Sequence, residues 1–148
     1  MKGRKTQVLM LDSQENLSIA TKNYLAKYKI TITVTNSLKN LLEKLTKKSP
    51  DCLILDPINE DSSIKKLIET LKKNETTQNI PIIILTAKGL TQDRIEGYNT
   101  GCESYLPKPF DPEELYSIIK TILRHRDYIN RNILKNVENV MQRSICYS

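Results

Sequence analysis

The feature that most restricts the fold of this chain is a regular alternation of short apolar runs with longer amphipathic stretches. Five runs have the length and composition of β-strands, at residues 8–11, 30–34, 52–55, 82–85 and 104–106. The first, third and fourth are apolar at every position, which is typical of strands covered by helices on both faces. Strands that alternate with helices favour a parallel sheet built from βα units.

Between these runs, apolar residues recur at the three- and four-residue spacing of a helix face. The three clearest sets are Leu17, Ala20, Tyr24 and Leu25; Leu38, Leu41, Leu42 and Leu45; and Ile64, Leu67, Ile68 and Leu71. A weaker helical pattern covers residues 91–99 and ends at Gly101, and a last helix is predicted to begin at Pro112 with Asp111 as its N-cap. Five strands, each followed by a helix, predict an α/β fold, a (βα)5 doubly wound domain with a parallel five-stranded sheet.

Four polar residues that stand just after predicted strands are candidates for a site: Asp12, Asp56, Thr86 and Lys108. Ligands of doubly wound sheets bind at the carboxyl ends of the strands, near the point where the strand order reverses. Taken singly, these residues have ordinary interpretations as an N-cap, a turn residue, a strand terminator and a solvent-exposed lysine. Four of them at four strand ends favour one shared site.

Composition excludes several classes of function. A chain of 148 residues suffices for one domain, and its single histidine, His125, argues against a histidine-based hydrolase. Cys52, Cys102 and Cys146 form no CxxC pair, which speaks against a zinc site or disulfide framework and for a reducing, cytoplasmic location. The net charge of +6 comes from scattered lysines without interleaved aromatics, so we expect no direct nucleic-acid binding. No apolar run is long enough for a membrane span or signal peptide.

Three segments resemble the receiver domain of two-component response regulators. The segment PDCLILDP at residues 50–57 is similar to the phosphoacceptor strand of that family, and IPIIILTAKG at 80–89 is similar to its fourth strand with the switch threonine. The segment GYNTGCESYLPKPFDPEEL at 97–115 carries five family positions in register: Gly101, Tyr105, Lys108, Pro109 and Phe110. The segments keep the order and spacing of the family over about residues 5–125, which implies a flavodoxin-like receiver fold.

The resemblance implies that Asp56 accepts a phosphoryl group from the phosphohistidine of a sensor histidine kinase. It also implies a Mg²⁺ ion bound by Asp12, Asp56 and the backbone carbonyl of Ile58, because a hard cation prefers oxygen ligands and neutralises charge on the transferring group. Lys108 would contact the phosphoryl oxygens as a second positive charge. The implied activity is confined to gaining and losing this phosphoryl group, so the chain is not expected to be an enzyme that acts on other substrates.

The resemblance further implies a conformational switch. Thr86 would hydrogen-bond the phosphoryl group and move towards it, and Tyr105 would turn inward as Thr86 moves. The peptide bond between Lys108 and Pro109 is expected to be cis, because the family uses this turn to direct the lysine into the site. A surface aromatic on the fifth strand is the alternative interpretation of Tyr105.

The sequence departs from the family after the first strand, where receivers carry two adjacent acids and this chain has one. If Asp12 is the first acid, Ser13 replaces the second, and if Asp12 is the second, Leu11 replaces the first. Either register predicts weaker Mg²⁺ binding. Glu15 is either a partial substitute or an acid in the first turn of a helix. Proline also follows Asp56 directly, which alters the loop beside the acceptor.

We expect the receiver domain to span residues 1–126, followed by a helical extension or linker at 127–148. Apolar residues continue at helical spacing through it: Ile118, Ile119, Ile122, Leu123, Ile129, Ile133, Val137, Val140 and Met141. An exposed stripe of this kind indicates a partner, either a second copy in a homodimeric coiled coil or an output domain, and the alternative is a frayed tail. No helix-turn-helix pattern follows the receiver in this sequence, so a DNA-binding module would have been cut away, lost, or supplied by another protein.

Three functions are compatible with these features. The first is a phosphoaccepting receiver, and the second is a pseudo-receiver that binds protein partners without phosphorylation. The third is the regulatory half of a transcription factor. A flavodoxin-like metabolic enzyme is disfavoured because no phosphate-binding glycine loop follows the first strand. The short-tailed layout and a composition rich in isoleucine, lysine and asparagine resemble plastid-encoded algal regulators, which implies the chloroplast stroma, and also regulators of bacteria with low GC content.

Overall fold

The computed structural model describes residues 4–12, 17–56, 62–86 and 102–146, without the side chains of residues 62, 63, 86 and 144–146. The elements follow in the order β1 (Thr6–Leu11), α1 (Ile19–Ala26), β2 (Ile30–Thr35), α2 (Leu38–Lys47), β3 (Cys52–Leu55), α3 (Ser62–Lys73), β4 (Ile82–Thr86), β5 (Ser104–Pro107) and α4 (Pro112–Cys146). The helix predicted at residues 91–99, with its C-cap at Gly101, lies outside the described residues.

The five strands form one parallel sheet in the order β2-β1-β3-β4-β5. The predicted doubly wound α/β fold is therefore confirmed, and every predicted strand lies within an observed one. The strand order reverses between β1 and β3, so the crevice in which such folds bind ligands opens above the carboxyl ends of these two strands.

Buried side chains cover both faces of the sheet, which explains the continuously apolar strands. Successive strand residues point to opposite faces: Leu53 of β3 belongs to a cluster with residues of α2 and α3, and Ile54 to a cluster with residues of α1 and α4. Leu41 of α2 and Ile119 of α4 are fully buried against these two faces. Each apolar strand thus contributes to two cores at once.

Serine side chains fix the starts of the first two helices. The hydroxyl of Ser18 accepts a hydrogen bond from the N–H of Thr21 at 3.0 Å, and that of Ser37 accepts one from Asn40 at 3.2 Å. Because α1 begins after Ser18, its buried face contains Thr21 and Leu25, and the prediction that Ala20 lies on this face is wrong. Leu42, which the apolar spacing places on the same face of α2 as Leu41, is 42% exposed.

Helix α4 begins at Pro112, as predicted, and the backbone N–H of Asp111 donates to Oε1 of Glu114 at 3.2 Å. The helix has 35 residues, a length of about 52 Å at 1.5 Å per residue. Its first three turns, as far as Leu123, pack on the sheet, and every residue from 127 to 143 is exposed. The helix passes the proposed domain boundary at residue 126 without a break, and that boundary stays a prediction. None of the described helices is long and apolar enough to cross a membrane.

Candidate functional site at the carboxyl edge of the sheet

Asp12 and Asp56 stand side by side at the end of two paired strands. Leu11 of β1 is in register with Leu55 of β3, and the N–H of Asp56 donates to the carbonyl of Leu11 at 3.0 Å. Neighbouring strands of a sheet lie about 4.8 Å apart, so the two residues meet at the switch point. Both are buried: Asp12 is fully enclosed, and Asp56 is 5% exposed.

The two carboxylate oxygens of Asp12 differ in their hydrogen bonding. Oδ2 accepts a hydrogen bond from the N–H of Leu17 at 2.9 Å. Oδ1 is buried and has no hydrogen-bond partner among the described residues. A buried oxygen without a donor costs about 1–3 kcal/mol, and more when it is charged. The geometry therefore leaves one ligand atom available for a cation at this position.

Lys108 provides the positive charge of the site. It follows β5, its peptide bond to Pro109 is cis, and its Nζ donates to Oδ2 of Asp56 across 52 positions of sequence. The turn after β5 and the end of β3 thus bring an ammonium group and a carboxylate into direct contact. Only a quarter of the lysine side chain is exposed to solvent.

Burial dominates the electrostatics of Asp56. Removal from water raises the pKa of this carboxyl above its usual value of 3.8, and the negative charge of Asp12 raises the pKa further. The hydrogen bond and charge of Lys108 lower the pKa but do not restore it. Lys108 thus contacts one of two neighbouring carboxylates, and a further positive charge here would stabilise the ionised form of Asp56.

The structure describes the other predicted site residues only in part. Thr86 ends β4 in register with Pro107 of β5, which brings its backbone to the same edge of the sheet, while its side chain is not described. Tyr105 is half-buried and packs against the core cluster formed with α2 and α3. Ser13, Glu15 and Ile58 lie outside the described residues, so their predicted roles stay predictions. Among the residues that the structure includes, no group of three or more Asp, Glu, His or Cys side chains could hold a metal ion.

Sequence reasoning missed the residues that hold Asp12 in place. The carbonyl of Thr35 accepts the N–H of Asp12 at 2.9 Å, and the threonine hydroxyl donates to the carbonyl of Met10 at 2.8 Å. The sequence signal that could have identified Thr35 is its polar side chain at the end of a predicted strand; the structure shows that this residue is buried. Leu17 gave no such signal, because it acts through its backbone N–H.

A parallel sheet of this strand order, with two aspartates and a lysine at its switch point, defines a receiver-type domain. The family model described as "Response regulator receiver domain" matches residues 8–120. This chain belongs to the response-regulator receiver family.

Curated relatives include two proteins named "Probable transcriptional regulator ycf29". The one from Porphyra purpurea is 38% identical over 128 residues, covering 86% of this chain and 61% of the relative. The one from Pyropia yezoensis is 36% identical over 130 residues, covering 88% of this chain and 58% of the relative. The chain thus spans about three fifths of the length of these relatives.

Solved structures agree on the fold. A putative response regulator from Chloroflexus aurantiacus has a TM-score of 0.73 and 27% identity, covering 82% of this chain and 99% of that structure. The receiver domain of Francisella response regulator 1452 has a TM-score of 0.71 and 26% identity, covering 82% and 98%. The flavodoxin-like receiver fold expected from the sequence is confirmed.

Proposed function

We propose that this chain is a phosphorylation switch in which Asp56 accepts a phosphoryl group from a sensor histidine kinase. The observation that carries the proposal is the contact between the buried carboxylate of Asp56 and Nζ of Lys108, beside the unpaired oxygen of Asp12. An ordinary structural aspartate would be satisfied by its neighbours, whereas this cluster keeps an excess of negative charge and a free ligand atom.

The proposed reaction transfers a phosphoryl group from nitrogen to oxygen. A carboxylate oxygen of Asp56 attacks the phosphorus of phosphohistidine, the P–N bond breaks, and the leaving imidazole takes up a proton. The product is an acyl phosphate on Asp56, which water later hydrolyses. Both reactants are anionic, so the rate depends mainly on positioning and positive charge. Lys108, already in contact with Asp56, supplies one such charge. The site acts only on its own aspartate, so we propose that the chain is not an enzyme for other substrates.

The residues present are suited to Mg²⁺. Asp12 and Asp56 offer carboxylate oxygens, one of them buried without a hydrogen-bond donor, and Mg²⁺ prefers such hard oxygen ligands. The ion would neutralise charge on the transferring oxygens. The backbone carbonyl of Ile58, with Ser13 or Glu15, would complete the site in this proposal. With only two acids in the described part of it, we expect weaker binding than a site with three carboxylates would have.

Phosphorylation is proposed to change partner binding in transcription regulation. The ycf29 relatives and the phosphate regulon regulator PhoB of Escherichia coli are named as transcriptional regulators, the latter 37% identical over 83 residues. We propose that this chain contacts no nucleic acid itself and acts through a protein partner. The algal ycf29 relatives support a plastid location, in the chloroplast stroma.

A phosphorylation assay tests the function. The full chain is incubated with a small-molecule phosphodonor and Mg²⁺, and its mass is measured intact. We expect one phosphoryl group on the wild type and on Asp51→Asn, and none on Asp56→Asn. Asp51→Asn is a matched control because it makes the same chemical change four residues before β3 ends. Labelling of Asp56→Asn, or none of the wild type at high Mg²⁺, would refute the proposal.

The second candidate is a pseudo-receiver that binds partners independently of phosphorylation. The observation that favours it is the single acid after β1, with no third acidic group beside Asp12 and Asp56 in the described residues. This function predicts no measurable Mg²⁺ affinity by titration calorimetry. It also predicts the same partner affinity for Asp56→Asn and the wild type with and without phosphodonor.

A further inference from the structure

The part of α4 beyond Arg126 carries a stripe of large apolar side chains that no other described residue covers. Six of them are between 42% and 62% exposed: Ile129, Ile133, Leu134, Val137, Val140 and Met141. A contiguous apolar surface of this kind is unfavourable in water and marks an interaction site. We call these six residues, together with Asn130, the α4 stripe.

Arg126 is the last half-buried residue of α4 before the exposed stretch at residues 127–143. Its Nη1 donates to the carbonyl of Asp51 at 3.1 Å, and its Nη2 lies 3.6 Å from the carboxylate of Asp51. The same carboxylate accepts the N–H of Gln7 at 2.8 Å and a hydrogen bond from Arg4 at 3.1 Å. These contacts tie the helix to β1 and β3. The α4 stripe therefore starts from a fixed base and projects away from the receiver.

The α4 stripe has the spacing of a coiled-coil seam. Asn130, Ile133, Val137 and Val140 are separated by three, four and three residues, which places them at a, d, a and d positions of a heptad. Ile129 lies at the g position of this register, and Leu134 and Met141 lie at e. The charged residues Arg131, Lys135 and Glu138 fall on the opposite face of the helix.

We propose that the α4 stripe binds a second copy of this chain in a parallel, in-register dimer. The proposal is independent of the function proposed for Asp56. Asn130 carries it, because one polar residue at an a position sets the register and number of helices in a coiled coil. In a parallel pair of identical helices, each Asn130 amide faces its own counterpart and can hydrogen-bond to it.

Other arrangements leave this amide without a partner. An antiparallel pair aligned over residues 129–141 would set Asn130 against Val140, and an unrelated apolar helix would offer it no acceptor or donor. An unsatisfied buried amide costs about 1–3 kcal/mol. The flanking e and g positions add no repulsion between identical copies, because Ile129, Leu134 and Met141 are uncharged. A second copy is therefore the occupant that satisfies both the apolar and the polar part of the stripe.

Sedimentation velocity on the full chain tests the dimer. We expect the wild type to sediment as two chains, and Ile133→Glu to raise the dissociation constant at least about 100-fold, because each copy would bury an unpaired carboxylate. Asn132→Glu is the matched control: it adds the same charge one residue away, on the polar face, and should leave the dimer intact. A monomeric wild type, or equal association of the two variants, would overturn the proposal.

Cysteine cross-linking tests the parallel register. In a Cys146→Ser background, Val137→Cys treated with an oxidant such as oxidised glutathione should form a disulfide between two copies, each thiol losing one hydrogen to the oxidant. Lys135→Cys, which faces away from the seam, should not. The natural Cys52 and Cys102 are buried, so we expect the Cys146→Ser background alone to give no cross-linked dimer. A dimer in which Val137→Cys fails to cross-link would contradict the parallel register.

Asn130→Val tests the role of the asparagine. Isoleucine at both a and d positions favours three or four helices, and Asn130→Val would make this seam β-branched at every a and d position. This variant should therefore shift the sedimenting species from two chains to three. If Asn130→Val remained a dimer, Asn130 would not set the number of helices, and the proposal that it selects a parallel dimer would be wrong.

Discussion

Two aspartates flank the four-residue strand β3 and face opposite ends of the sheet. Asp51, at the amino edge, accepts the N–H of Gln7 and pairs with Arg4 and Arg126. Asp56, at the carboxyl edge, pairs with Lys108, and the negative charge of Asp12 raises the pKa of Asp56. Both are largely buried, at 11% and 5% exposed. One edge therefore surrounds its carboxylate with donors and the other leaves its carboxylates short of positive charge.

The contrast between the two edges separates residues that stabilise the fold from residues of the candidate site. A buried carboxylate with several donors stabilises the fold, whereas one with too few costs folding free energy and can bind a cation or a phosphoryl group. The amino edge of this sheet ties the base of α4 to β1 and β3, and the carboxyl edge carries the carboxylates of the proposed phosphoryl transfer. Changes at the two edges should therefore have separable effects.

The largest expected effect is on phosphoryl transfer when Lys108 is removed. Lys108→Ala should slow phosphorylation of Asp56 by a small phosphodonor about 100-fold, because loss of one positioned donor to a developing charge costs about that much. Initial rates measured by intact mass provide the check. Arg126→Ala, which removes a cation from the other edge, should react at the wild-type rate. Equal rates for both variants would mean that Lys108 takes no part in the transfer.

Next in size is the cost of neutralising Asp51. Asp51→Asn should lower the free energy of unfolding by about 1–2 kcal/mol, because hydrogen bonds to a charged group are worth more than neutral ones. Urea denaturation measures it. Asp56→Asn, the same change at the other edge, should not destabilise the fold at neutral pH. If both variants lost the same stability, the contrast between the edges would be wrong.

The candidate site at the carboxyl edge could be predicted from the sequence, whereas the Asp51 cluster at the amino edge could not. The positions of Asp12, Asp56 and Lys108 follow from three strand ends, and the parallel topology brings such ends together wherever the strands are assigned correctly. The cluster of Asp51 with Arg126 joins residues 75 positions apart, and no periodic pattern marks it. Its geometry depends on how α4 packs across the sheet.

The exposure of single helix residues was also beyond sequence reasoning. Apolar spacing predicted Ala20 on the buried face of α1, but the start of that helix after Ser18 turns Thr21 inward instead. A shift of one residue in a helix start rotates the whole face by about 100°, since a turn has 3.6 residues. Leu42 shows the same limit in α2, where Leu41 alone is fully buried.

The pH dependence of stability offers a smaller test of the carboxyl edge. Burial raises the pKa of Asp56 above 3.8, so the native state holds a proton that the unfolded chain has already lost. Stability from this group is therefore present at low pH and is lost as the pH rises from 3.8 through the raised native pKa. Asp56→Asn removes this loss and should gain stability over the wild type across that interval.

Urea denaturation of both proteins at a series of pH values checks this prediction. The difference between the two curves reports Asp56 together with its coupling to Asp12 and Lys108, because groups away from this site titrate alike in the two proteins. A flat difference would show that Lys108 compensates the burial of Asp56 fully. A difference of opposite sign would place the native pKa of Asp56 below its usual value.

The smallest expected effect separates the two arginines of the amino edge. The side chain of Arg4 is 66% exposed, and an exposed ion pair is worth about 0.2–1 kcal/mol, so Arg4→Ala should change the free energy of unfolding by about 0.5 kcal/mol or less. Arg126 is 31% exposed and also donates to the backbone carbonyl of Asp51, so Arg126→Ala should cost more.

Hydrogen exchange distinguishes these two arginines further. Arg126→Ala should speed exchange of the amides of α4 near residue 126, because the helix loses its tie to the start of β3, whereas Arg4→Ala should leave them unchanged. Equal protection in the two variants would mean that the apolar packing of α4 on the sheet fixes the base of the helix without Arg126. The amino edge would then contribute to stability without setting the direction in which α4 leaves the domain.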